Sequence, residues 1–184
     1  SLRESHLELK KKLLSHEVKR FMTYVENQRT RLHIHTQDSV KQRVLEAHNI
    51  AQSIYETHKN SLSEKEIQTR IIETLRFMRY EKNQGYYFIT RLDGVEMLFS
   101  DRPEMEGKNM LNLQNAEGRC VVKGMLDIVR VNQEGFYEYE WSKPNEKGEH
   151  FKKIAYVKLF EPYGWFIGTG LYLDDMEQKL KDEI

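Results

Sequence analysis

Helical periodicity governs the first 80 residues of this chain and stops at Asn83-Gln84-Gly85, where the apolar period falls from 3.6 to about two. Helices first and strands after make an α+β protein. Within the helical part, Leu7, Leu14, Val18, Phe21 and Val25 share one face of a long helix from residue 1 to about 33, which no glycine or proline interrupts. Such a length suits a stalk or one arm of a coiled coil, or a stripe lying along the domain that follows. The polar stretch HIHTQDS (33–39) either interrupts this helix or is crossed by it. Val44, Ala47, Ala51 and Ile54 predict a helix over about 38–58. Ser63 and Glu66 fit a capping box that opens a third helix, over 64 to about 79, with Ile67, Ile71, Leu75 and Met78 on its buried face.

Past the break, Tyr86 to Leu92 reads as a strand from its aromatic and β-branched content, and Asp93-Gly94 as a two-residue hairpin turn. That turn predicts a register in which Phe88 meets Phe99, Ile89 faces Leu98, Thr90 meets Met97 and Arg91 pairs with Glu96 at an exposed tip. A loop (101–115) and a helix (116 to about 130) follow. Three further strands are predicted, over 136–141, about 151–160 and 164–172, and a charged helix begins at Asp174. Five antiparallel strands with helical material inserted after the second match a PAS-like layout. The expected division is a helical region (1–80), a sheet domain (81–175) and a C-terminal helix (176–184).

Charge and motifs exclude several functions. The 29 basic and 29 acidic residues cancel, so there is no basic excess to hold a phosphate backbone, and nucleic acid is not an expected partner. No apolar run approaches the roughly 18–20 residues that cross a bilayer, and the opening SLRESHLELKKK has no signal-peptide character. Cys120 is the only cysteine, so neither an intrachain disulfide nor a zinc framework is expected. His33 and His35 lack further ligands at metal spacing. Gly107-Lys108 lacks the rest of a phosphate loop, and Gly168-Thr169-Gly170 lies in a strand pattern rather than opening a helix. With no nucleophile elbow and no metalloprotease helix, neither catalysis nor a cofactor is expected.

What remains is a pocket. Six of the ten tyrosines and both tryptophans, crowded onto a small sheet that also carries lysines, suit the enclosure of a small polar ligand. An inward cation would neutralise a carboxylate stripped of water. Filling of the core by the same aromatics is the competing explanation.

The segments GYYFITRLDG, PEMEGKN, GFYEYEWSKP and KKIAYVKLFEPYGWFIGTGLYLDD, together with the long N-terminal helices, resemble the single Cache domains of bacterial receptors, the type-2 class above all. The resemblance implies long N-terminal helices packed on a PAS-like five-stranded antiparallel sheet. It implies an extracytoplasmic sensor, on the periplasmic or extracellular side of the cytoplasmic membrane, in a chemoreceptor, sensor histidine kinase or cyclic-dinucleotide enzyme. The flanking transmembrane helices would lie outside this segment. The implied ligand is a small organic acid of the acetate, propionate, pyruvate or lactate class, and a homodimer is implied in the full-length receptor. A dimerisation or protein-interaction module without a ligand is the alternative.

Carried onto the matching motifs, the implied ligand contacts are Tyr87, Phe99, Tyr139, Trp141, Lys153 and Tyr156, with Arg79 as a second cation. Lys153 and Tyr156 fall on opposite faces of an ideal strand, so both face a pocket only if a bulge intervenes. One departure stands out. Where many relatives carry a histidine before the loop proline, this chain reads Phe99-Ser100-Asp101-Arg102-Pro103, which makes Arg102 a candidate for that role.

Overall fold

A computed structural model describes residues 1–184. Helix α1 runs unbroken over Leu2–His58, so HIHTQDS is helical. The chain divides into two units, Ser1–His35 and Thr36–Ile184. In the first, Leu7, Leu14, Val18 and Phe21 are all exposed. In the second, α1 buries Thr36, Val40, Val44, Ala47 and Ala51. Helix α2 (Glu64–Phe77) opens with the expected capping box. The Glu66 amide donates to Ser63 Oγ at 3.2 Å, and the Ser63 amide to Glu66 Oε2 at 3.0 Å.

The strands are β1 (Tyr87–Arg91), β2 (Glu96–Phe99), β3 (Glu134–Trp141), β4 (Phe151–Phe160) and β5 (Trp165–Tyr172). They form one antiparallel sheet in the order β2-β1-β5-β4-β3. Helix α3 (Val121–Asn132) connects the hairpin to β3, and α4 (Leu173–Asp182) follows β5. The sheet has two buried faces. On one, α3 packs Val121, Met125, Leu126 and Val129 against Phe88, Tyr139, Ala155, Val157 and Phe166. The other faces the later half of α1: Tyr87 donates to the Arg43 carbonyl, His48 bonds the Leu159 carbonyl at 2.9 Å and stacks edge-on against Phe160.

The hairpin departs from the expected register at one point. Phe88 meets Phe99 and Ile89 meets Leu98, but a bulge between Ile89 and Thr90 pairs Thr90 with Glu96. The extra residue exchanges the faces beyond it. Glu96 therefore leaves the exposed tip and becomes buried, and Arg91 pairs instead with Asp93, its neighbour in the turn, at 2.6 Å.

Candidate functional site

Between the sheet and α3 lies a cavity of about 30 Å³. Its floor comes from Tyr86, Phe88, Thr90, Glu96, Phe99, Tyr139, Trp141 and Lys153, and its roof from Met110, Val121, Val122 and Met125. Two glycines of β5 make the floor possible. A Cβ on Gly168 would meet the Phe88 ring, and one on Gly170 would sit 2.5 Å from Lys153 Cε. The lysine stem thus lies across a strand with no side chain beneath it.

Lys153 is 2 % exposed and no carboxylate lies within ion-pair distance of it. Its ammonium donates to the Tyr86 hydroxyl at 3.1 Å and sits 4.7 Å from the Tyr86 ring, 5.2 Å from Tyr172 and 5.9 Å from Tyr139. Aromatic faces stabilise a cation but do not neutralise it. Burial pulls the Lys153 pKa down to about 8, with Asp101 opposing the shift and Arg102 adding to it. The same burial pushes the hydroxyls of Tyr86 and Tyr139 well up, so both remain neutral donors.

Of the residues singled out from sequence, Phe99, Tyr139, Trp141 and Lys153 line this cavity. Tyr87 and Tyr156 do not. Each is one strand position out of phase, so each points to the opposite face. Tyr87 reaches α1 there, and Tyr156 donates to Glu134 at 2.5 Å beneath Lys41. No bulge in β4 reconciles Lys153 with Tyr156, because β4 pairs with β5 in continuous register from Lys153 to Phe160.

Arg79 lies in a separate cleft of about 280 Å³ with Lys143 and Tyr172, paired with Asp101 at 2.9 Å and stacked on the Tyr86 ring. Arg102 stacks on Trp141 and bonds Ser142, in an adjoining cleft that shares the tryptophan. Neither cation lines the cavity; each touches a wall residue, Arg79 at Tyr86 and Arg102 at Trp141. Sequence reasoning missed Tyr86, Phe88, Thr90, Glu96 and the α3 residues. Tyr86 was legible as the strand neighbour in phase with Phe88, whereas Glu96 depended on the bulge. No group of three or more His, Cys, Asp or Glu is placed to hold a metal ion.

The family described as Cache domain matches residues 1–184. The chain is 27% identical over 124 residues to the methyl-accepting chemotaxis protein McpP of Pseudomonas putida, covering 67% of this chain and 22% of that protein. It is 27% identical over 135 residues to the sensor histidine kinase MctS of Rhizobium johnstonii, covering 72% and 29%. The chain therefore spans less than a third of the length of these curated relatives. Among solved structures, a periplasmic sensor domain of a chemotaxis protein superposes with TM-score 0.71 at 25% identity, covering 76% of this chain and 96% of that one. A Cache chemosensory domain solved for its recognition of carboxylic acids gives TM-score 0.69 at 26% identity, covering 78% and 97%.

Proposed function

The chain belongs to the Cache domain family, and from that premise we propose that it is the extracytoplasmic sensor domain of a bacterial transmembrane receptor, holding a short carboxylic acid against Lys153. The observation that carries this reading is the buried ammonium without an anion. A desolvated cation is costly unless a counter-charge enters with hydrogen bonds. A ligand carboxylate would accept charge-assisted bonds from Lys153 and a further bond from Tyr86. Apart from Thr90 and Glu96 the rest of the wall is apolar or aromatic, and the volume is small, which favours acids of two or three carbons. Relatives named as a chemoreceptor, a sensor kinase and a carboxylic-acid-recognising Cache domain support the same class. The periplasmic side of the membrane follows from the same kinship. Catalysis has no part in this reading.

Thermal unfolding with acetate, propionate, pyruvate and lactate tests it. An acid at about a hundred times its dissociation constant should stabilise the wild type by about 2.7 kcal/mol. Lys153→Met should abolish the shift. If none of the four acids moves the wild-type midpoint, the sensing proposal is wrong.

Pairing of two copies through Ser1–His35 rests on a separate observation. Leu7, Leu14, Val18 and Phe21 are 53%, 63%, 52% and 65% exposed along one helical face. Sedimentation across a hundredfold concentration range should show a dimer that Leu14→Lys with Val18→Lys dissociates. A pairing module without a ligand would show no acid-dependent shift for Lys153→Met to remove and would pair unchanged in that variant, so the variant separates the two readings.

A further inference from the structure

Glu96 lines the same cavity as Lys153, is 2 % exposed, and has no cationic partner. The β1–β2 bulge aims it there, and the backbone fixes it. Its amide donates to the Lys108 carbonyl at 3.0 Å, and its carbonyl accepts from the Gly107 amide at 2.7 Å. One carboxyl oxygen, Oε1, accepts from the Thr90 hydroxyl at 2.7 Å. The other oxygen has no hydrogen-bond partner in the protein. Glu106, whose charge acts on it, is itself held by Arg76 at 2.7 Å and 3.0 Å. Arg76 is therefore engaged by Glu106 and does not neutralise Glu96.

Resting on the carboxylate reading above, we infer that Glu96 is the second polar anchor of the site: its carboxyl donates a hydrogen bond to an oxygen on the ligand beyond the carboxylate held by Lys153. The site thereby selects oxo- or hydroxy-substituted short acids over unsubstituted ones. The argument is one of satisfaction. A buried carboxyl with no cation keeps its proton, and desolvation does raise the Glu96 pKa to about 8, with the Thr90 bond opposing and Glu106 assisting. Thr90 occupies one oxygen as a donor, so the acidic proton sits on the other oxygen and has no acceptor within the protein. A keto or hydroxyl oxygen supplies that acceptor, whereas the methyl end of propionate leaves the donor unpaired and dry. A site built to hydrogen-bond a substituent rejects the analogue that lacks it.

Calorimetric titration of the 184-residue chain at pH 7 with propionate, pyruvate, L-lactate and L-alanine tests this. These are three-carbon acids that differ at the second carbon. Wild type should bind pyruvate or lactate about tenfold tighter than propionate, or more. Glu96→Met should bring the three within about twofold of one another, while Glu96→Gln, which retains a donor, should keep the preference. Glu96→Leu repeats the apolar replacement with a second shape if the methionine variant does not fold. Equal affinities in wild type, or a preference that survives in the apolar variants, overturns the role of Glu96 while leaving the carboxylate reading intact. Alanine binding that Glu96→Gln abolishes also overturns it, because Glu96 would then be ionised against an ammonium. Wild type that binds none of the acids removes the carboxylate reading and this inference together.

Discussion

Two side chains of the cavity are buried against their own ionisation, in opposite senses. Lys153 is held down at about 8 from 10.5, and Glu96 is held up at about 8 from 4.5, both chiefly by loss of water. The signs give a distinctive stability profile. Between about pH 4.5 and 8 the folded chain holds the Glu96 proton that the unfolded chain has released, so stability falls as pH rises. Between about pH 8 and 10.5 the unfolded chain holds the Lys153 proton that the folded chain has released, so stability rises with pH. The two contributions meet in a minimum near pH 8. Urea unfolding of the unliganded protein across this range should show it. Glu96→Gln should flatten the acidic limb and Lys153→Met the alkaline limb. A profile unchanged by both variants would mean that neither group is buried as described. Lys153→Met should also raise the unliganded stability at pH 7, by on the order of 1 kcal/mol, as a buried unpaired charge is replaced by apolar volume. The same variant loses the ligand, so stability and binding move in opposite directions.

At the scale of elements, β5 is the strand that makes room. Gly170 lets the Lys153 stem cross it, and the next obstacle to a side chain there is the Ile154 carbonyl at 3.0 Å. Gly170→Ala should displace Lys153 and weaken acid binding by about tenfold or more, at a stability cost of roughly 1–3 kcal/mol from overpacking. Calorimetry paired with urea unfolding separates the two effects, and full affinity in a folded Gly170→Ala would sink this role for the glycine. Much of the architecture was legible in sequence because local chemistry decides it. Ser63 and Glu66 cap α2 from residues three apart, and aromatic and β-branched content between turn residues marks the strands. Facing was less legible. Tyr86 and Tyr87 carry the same side chain, so composition cannot say which looks inward; only pairing, Tyr87 with Thr169, fixes the phase. Lys153 and Tyr156 posed the same choice, and the continuous β4–β5 register resolves it. Glu96 was illegible for a different reason. An Asp-Gly turn predicts a regular hairpin, and the contacts that bulge it come from Gly107 and Lys108, in a loop past the end of β2.

For the molecule as a whole, the proposed sensing role requires a route from an occupied cavity to α4. Tyr172, whose ring stands 5.2 Å from the Lys153 ammonium, is the residue immediately before that helix, and its hydroxyl donates to the Ser142 carbonyl at 2.5 Å. Ser142 follows the cavity residue Trp141 and precedes Lys143. Lys143 is buried and bonds Asp174 at 2.6 Å and Asp175 at 2.9 Å, in the first turn of α4. At the other end of the helix, Lys179 pairs at 2.6 Å with Glu81, in a turn where Glu81, Lys82 and Asn83 all have positive φ. Three such residues in succession are strained, and Arg79 bonds the Asn83 carbonyl while pairing with Asp101. Helix α4 is thus tied by ion pairs to two segments that touch the cavity wall, and it buries only Met176 itself. A helix held mainly by partly exposed ion pairs lies at the low end of local stability, where a small differential affinity changes its population. Pyruvate or another acid that binds should therefore slow amide exchange across Leu173–Asp182 and around Lys143. Lys143→Met should keep acid affinity within about threefold, because it does not line the cavity, yet lose the protection of α4, since the tie and not the contact is removed. Exchange in α4 that ignores the ligand in wild type would place the output elsewhere, with α1 as the remaining route.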